Sequence, residues 1–150
     1  MRVVIQRVSQ ASVTIDHSQV ASIGTGLLVL VGIEDNDTMG DADWLAQKIV
    51  SLRIFADADD KMNSDIRQAD GDIIIVSQFT LHAMTKKGNR PSFIRAARPE
   101  TAIPLYEYFI HTVEKSLGKP VGTGRFGAMM DVQLNNSGPV TIWIDTANKE

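Results

Sequence analysis

The sequence predicts an α+β fold: mixed β-sheets layered with two main helices on one side. Three observations predict it. Apolar runs of strand length outnumber stretches of helical periodicity, giving two helices among roughly seven or eight strands. Hairpin-like polar turns outnumber segments long enough to act as crossovers. The 150 residues, 43% hydrophobic and 22% charged, have ordinary globular composition and suit one domain over 1–150, with no linker, repeat or low-complexity tract.

Arg2 to Val8 begins with β-branched residues, and Ser12 to Ile15 and Val20 to Ile23 flank the polar turn Asp16 to Gln19, so an extended segment runs into a hairpin. Leu27 to Ile33 is an unbroken apolar run between Gly26 and the acidic cluster Glu34 to Asp37, the pattern of a strand buried on both faces. Thr38 or Asp37 caps a helix reaching about Leu52, since Leu45, Ile49 and Leu52 keep helical spacing. Ile54–Phe55 is a short strand candidate, followed by a polar turn from Asp57 to Ser64. Asp72 to Val76 is the strongest strand signal in the chain. Arg98–Pro99–Glu100 opens the second helix; Ala102, Leu105, Phe109, Val113 and Leu117 form its apolar stripe and Gly118 stops it. Val121 to Thr123, Ala128 to Leu134 and Val140 to Asp145 complete the strands, the last two joined by a turn at Asn135 to Pro139.

Without cysteine, disulfides, thiolate metal sites and cysteine nucleophiles are excluded, and only His17, His82 and His111 are present as histidines. The start lacks an apolar signal region, and the longest apolar run, Leu27 to Val31, falls far short of the ~20 residues a bilayer requires, so a cytoplasmic location is expected. A net charge of -3 argues against coating nucleic acid through bulk charge. Yet Ile73 to Pro99 contains no Asp or Glu while holding Lys86, Lys87, Arg90, Arg95 and Arg98: either a solvated basic loop or a phosphate-contacting patch. Gly122 to Gly127 lacks the Lys-Ser/Thr of a phosphate loop and leads into a strand, and Asp57 to Met62 departs from a calcium loop at Lys61 and Met62.

Ser77–Gln78–Phe79–Thr80–Leu81 follows the apolar strand directly, placing polar groups where a buried strand ends. Period-two alternation predicts Gln78 and Thr80 on one face, Ser77 and Phe79 on the other. The plain alternative is a strand finishing in polar residues. His82 is near, but no acid partner is evident, so a catalytic triad has little support. Asn136–Ser137–Gly138–Pro139–Val140–Thr141 is the second unusual segment, where proline admits a cis peptide, although a tight turn explains it equally.

Together these two segments closely resemble the two signature motifs of the bacterial-type D-aminoacyl-tRNA deacylases. The likeness extends through Met1 to Val8, Lys87 to Phe93 and Gly124 to Met130, spanning essentially the whole chain. The resemblance implies a β-β-α sandwich and a homodimeric editing enzyme that needs no cofactor or metal and acts on aminoacyl-tRNA rather than on DNA or a membrane. Such an enzyme hydrolyses the ester between a D-amino acid and the terminal adenosine of tRNA, and also removes glycine. Ser77, Gln78, Phe79 and Thr80 would line the reacting ester, with main-chain N–H groups near Phe79 and Thr80 holding the oxyanion. Catalysis would be assisted by the ribose 2'-hydroxyl of the tRNA, with Thr80 as nucleophile the competing mechanism.

By the same resemblance, Gly138–Pro139 would be a cis peptide reaching into the partner subunit's pocket and leaving no room for an L side chain. Arg7 would hold the cis-proline carbonyls; otherwise it reads as a strand-surface arginine. Phe126 and Met130 would contact the terminal adenosine, with core packing an equally fair reading. Lys86, Lys87, Arg90 and Arg95 would meet acceptor-stem phosphates. The contrasting readings are a non-catalytic dimeric RNA-binding module and a metal-dependent small-ester hydrolase, the latter with a poor ligand set.

Overall fold

A strand that keeps one face buried must alternate, and the first fifteen residues do so in two phases. Val3 and Ile5 are buried, then Val8, then Ala11, Val13 and Ile15. The computed structural model, which describes residues 1–149, makes this one long strand, β1 (Arg2–Ile15). It is followed by β2 (Ser18–Ile23), β3 (Gly26–Gly32), α1 (Met39–Ser51), β4 (Phe55–Ala56), β5 (Met62–Ser64) and β6 (Asp72–Ser77). A 3-10 turn (Phe79–His82), α2 (Pro99–Leu117), β7 (Gly122–Thr123) and β8 (Asp131–Asp145) complete the chain. Among the described residues no helix is long and apolar enough to cross a membrane.

The phase change in β1 marks where the strand passes from one core to another. Val3 and Ile5 join the cluster formed with both helices, whereas Val8, Ala11, Val13 and Ile15 join a second cluster with β2 and the first half of β8. The middle strands are buried on both faces, as the sequence predicts for Leu27 to Ile33. In β3, Leu27, Val29 and Val31 face the helices while Leu28 and Leu30 face the second cluster; in β6, Ile73 and Ile75 divide from Ile74 and Val76 in the same way. The result is two β layers with both helices on one side. β3, β6 and β7 pair in parallel, which the intervening helices α1 and α2 permit as crossovers.

The end of the chain departs from its sequence reading. Residues 131–145 form one strand rather than two joined by a turn, because β1 is long enough to pair with both halves. Gln6 pairs with Thr141 and Val8 with Asn136, so Ser137 to Val140 bulge outward opposite Arg7 alone. Pro139 has no N–H to give a ladder, which suits it to such a bulge. Residues 128–130, predicted as strand, lie outside β8, and β5 emerges within the predicted polar turn to pair with β4.

Thr38 caps α1 through a reciprocal box: its Oγ1 accepts from Asp41 N–H at 3.4 Å, and Asp41 Oδ2 accepts from Thr38 N–H at 2.9 Å. At the other end of the sheet, Arg2 Nε donates to Asp145 Oδ2 at 2.8 Å, tying β1 to β8. Partial burial pushes the Asp145 carboxyl up, but the Arg2 hydrogen bond and the Ala147 amide outweigh it and hold the group below its ordinary value. A carboxylate depressed in the folded state stabilises at every pH above its unfolded value, about 3.9, and loses that contribution as pH falls through the folded value. The urea midpoint is therefore expected to drop below about pH 4. Asp145→Asn should remove about 1 kcal/mol or less of that drop; an unchanged acid profile would contradict the assignment.

Candidate active site

Because β3 and β6 pair in parallel as far as Val31 and Ser77, their carboxyl ends lie side by side, and a crevice beyond such ends is where α/β sheets commonly bind ligands. A cleft of about 330 Å³ opens there. β3 and the residues after it supply Val31 and Ile33, β6 supplies Val76 and Ser77, and Gln78 and Phe79 follow. The connection from β7 to β8 supplies Phe126 to Met130. The cleft thus brings together five residues that the sequence proposes in two separate roles: Ser77, Gln78 and Phe79 with Phe126 and Met130.

The predicted alternation does not continue past Ser77. Gln78 N–H still donates to Val31 C=O at 2.6 Å, and then the chain tightens into the 3-10 turn, with Leu81 N–H on Gln78 C=O at 3.2 Å and Ala83 N–H on Thr80 C=O at 3.0 Å. Gly32 makes this closure possible. A Cβ there would lie 2.9 Å from Gln78 O and 2.9 Å from both Cδ2 and Nε2 of His82, so the turn occupies the space a side chain would need. The first amides of such a turn, those of Phe79 and Thr80, have no partner within it. Gln78 Nε2 donates to Thr80 Oγ1 at 2.5 Å, a contact made by the turn rather than by strand alternation, and Thr80 is exposed and does not line the cleft. Phe79 is 56% exposed and meets Phe93 edge-on at 5.1 Å.

Beneath the cleft lies a residue that the sequence does not nominate. Tyr106 stands one position after Leu105 on the apolar stripe of α2, four from Ala102, and is buried; the i, i+4 spacing is the one signal that points to it. Its hydroxyl donates to Ile75 C=O at 3.1 Å, and its ring lies 5.9 Å from that of Phe126. Burial pushes its pKa up to about 12 against the opposing Ser77 main-chain hydrogen bond, so it remains protonated as a strut between α2 and β6. Met130 is half-buried against the second core, while the neighbouring Met129 is 91% exposed.

None of the described side chains lining the cleft is ionisable. His82 is buried with its Nδ1 2.9 Å from Glu34 Oε1, so it has the acid neighbour that the sequence leaves unidentified. The ring packs against Gly32, and no hydrogen bond joins it to Thr80 among the described residues, so the pair is not a triad. The cleft's polar groups are accordingly Ser77, Gln78 and main chain. Fixed amides of this kind stabilise a developing oxyanion without exchanging protons.

Gly138 and Pro139 are exposed, joined by a cis peptide, and do not line this chain's cleft. Arg7 Nε donates to Ser137 C=O at 3.1 Å and Nη1 to Ile54 C=O, so Arg7 grips the carbonyl before the glycine rather than the proline carbonyl. Asn136 closes the base of the bulge, accepting from Val140 N–H at 3.0 Å and donating to Thr141 Oγ1 at 2.9 Å. Lys86, Lys87 and Arg90 are exposed on a loop whose ends, Met84 and Ser92, exchange main-chain hydrogen bonds at 2.8 and 3.0 Å. They make no ion pair among the described residues. Arg95 differs from them, because its Nη2 lies 2.7 Å from Glu34 Oε1.

The sequence profile of the family described as D-Tyr-tRNA(Tyr) deacylase matches residues 4–145. Relatives from Flavobacterium johnsoniae and Bacteroides thetaiotaomicron, both named D-aminoacyl-tRNA deacylase, are 61% and 59% identical over 150 residues, each covering 100% of both chains. A solved structure titled c-Myc DNA Unwinding Element Binding Protein is similar with a TM-score of 0.92 at 38% identity, over 97% of this chain and 98% of that one. A second, titled as a probable eukaryotic D-amino acid tRNA deacylase, shares the fold with a TM-score of 0.82 at 19% identity, over 95% and 97%. With the family profile and these relatives running along nearly its whole length, the chain belongs to the D-Tyr-tRNA(Tyr) deacylase family.

Proposed function

We propose that this chain hydrolyses the ester of D-aminoacyl-tRNA, and of glycyl-tRNA, to free amino acid and tRNA, acting in the cytoplasm as a homodimer of single-domain subunits without a cofactor. The observation that carries this reading is a cleft with no ionisable side chain among the described residues that line it, beside the amides of Phe79 and Thr80, in a chain of this family. Phe126 and Met130 flank the terminal adenosine, and Ser77 and Gln78 border the ester. Water adds to the ester carbon, and the carbonyl oxygen gains negative charge that the Phe79 and Thr80 amides receive; one such donor is typically worth ~3 kcal/mol. The bond to the ribose oxygen then breaks, that oxygen takes up a proton, and the neighbouring 2'-hydroxyl assists. Lys86, Lys87, Arg90 and the outer face of Arg95 contact acceptor-stem phosphates.

Handedness is read by exclusion. A general editor of D residues must accept many side chains, so it is economical to block the single direction in which an L side chain projects. The Gly138–Pro139 bulge stands outside its own cleft, and among the described residues β8 pairs only with β1, leaving its outer edge unpaired. A second copy therefore delivers this main chain into the first copy's cleft. Glycine, lacking a side chain, passes the same barrier.

Matched D-, L- and glycyl-tRNA incubated with the purified chain test the reading: release of the D and glycyl residues with retention of the L residue is expected. Thr80→Ala should deacylate at a near-normal rate, because Thr80 Oγ1 already accepts from Gln78 and hydrogen-bonds no base among the described residues. Binding of tRNA without release would replace the enzyme by an RNA-binding module. Complete loss in a folded Thr80→Ala chain would restore Thr80 as the nucleophile.

A further inference from the structure

A buried carboxylate oxygen and a buried imidazole call for an explanation, since each is costly to remove from water. Glu34 Oε1 and both ring nitrogens of His82 are buried without an aligned hydrogen bond. What they share is position. Glu34 Oε1 lies 2.9 Å from Nδ1 of His82, the last residue of the 3-10 turn, and 2.7 Å from Nη2 of Arg95. Arg95 follows closely on Phe93, whose ring meets Phe79. The main chain of Glu34 bridges to Ala96, which brings the Arg95 segment alongside. One carboxylate thus contacts both flanks of Phe79: the turn that carries it and the segment that packs against it.

We propose that Glu34 is a positioning residue for deacylation, a clamp that sets the Phe79–Thr80 amides through His82 on one side and Arg95 on the other. The proposal rests on the functional reading given above. The turn has other anchors, Gln78 N–H on Val31 C=O and Arg2 Nη1 on Leu81 C=O at 3.2 Å, and the Phe93 side has the Met84–Ser92 main-chain pair and Ala97 N–H on Ile33 C=O at 2.8 Å, but among these contacts Glu34 alone reaches a side chain on each flank. Loss of the Glu34 charge therefore loosens both flanks while leaving the sheet intact, and small misplacement of catalytic donors costs rate more than binding.

The test compares the wild-type chain with Glu34→Gln, Arg95→Met and Arg95→Lys, using amide hydrogen exchange and deacylation of D-aminoacyl-tRNA. Glu34→Gln is expected to speed exchange at least tenfold within residues 79–83 and 92–97 only, and to lower kcat about ten- to a hundredfold while KM stays within about threefold. Arg95→Met should reproduce part of the kcat loss and, because Arg95 also meets tRNA phosphates, raise KM; Arg95→Lys should restore most of kcat, and Glu34→Gln combined with Arg95→Met should have a kcat no lower than that of Glu34→Gln alone. Unchanged exchange, or exchange raised throughout the chain, overturns the clamp; so does local loosening with an unchanged kcat. A wild-type chain that releases no D-amino acid overturns the functional reading instead, a result that the exchange data keep separate.

Discussion

Replacing Arg7 with alanine is expected to raise the hydrolysis of L-aminoacyl-tRNA about ten- to a hundredfold while changing the rate on D-aminoacyl-tRNA little. In the β1–β8 ladder, Ser137 to Val140 have no paired residue of β1, and only Arg7 stands opposite them. Its guanidinium binds the Ser137 carbonyl and, through Ile54, anchors the bulge to the chain before β4. A hydrogen bond from a charged donor contributes roughly 1.5–3 kcal/mol, and each 1.4 kcal/mol is a factor of ten. On the proposed reading, losing the grip would let the Gly138–Pro139 main chain give way to an L side chain, while D substrates, which would not press on it, would keep their rate. Single-turnover rates on matched D- and L-aminoacyl-tRNA check this. Gly138→Ala should act in the same direction, because its φ of 120° disfavours an L side chain and the new Cβ would lie 2.6 Å from Arg7 Nη2.

The second large effect is expected at Gly32, where alanine should lower kcat about a hundredfold with a smaller loss of thermal stability. The added methyl would come within 2.9 Å of two groups that cannot easily retreat. Gln78 C=O is main chain, fixed by its residue's own N–H bond to Val31, and the His82 ring is buried. The 3-10 turn must therefore shift as a unit, carrying the Phe79 and Thr80 amides off the ester. Steady-state kinetics beside a melting curve separate the two losses. Wild-type kcat in Gly32→Ala would show that the position of the turn does not set the rate.

The strands with the clearest patterns are legible in the amino-acid sequence. Leu27 to Ile33 reads as buried on both faces and Asp72 to Val76 as the strongest strand signal, and the two cores divide Leu27 to Val31 and Ile73 to Val76 residue by residue. Residues 131–145 are not legible as one strand, since Gly138 and Pro139 interrupt any strand pattern and only the length of β1 shows that one partner spans both halves. The 3-10 turn is hidden for a similar reason: it depends on the missing side chain of Gly32, far away in sequence. At the site, the nomination of Ser77, Gln78, Phe79, Phe126 and Met130 rests on motif resemblance rather than on spacing. Glu34 and Tyr106 carry no such signal because their partners, His82 and Ile75, are set by sheet order and helix docking.

One copy's Gly138–Pro139 main chain is proposed to police the other copy's cleft, and mixing two variants separates this from self-guarding subunits. Arg7→Ala has a sound cleft and a loosened bulge; Gly32→Ala has a disabled cleft and a firmly held bulge. After subunit exchange with excess Gly32→Ala chain, the L-aminoacyl-tRNA rate per Arg7→Ala cleft is expected to fall back toward the wild-type level while the D rate per cleft persists. An L rate unmoved by the added chain would mean that each subunit guards its own cleft, contrary to this account.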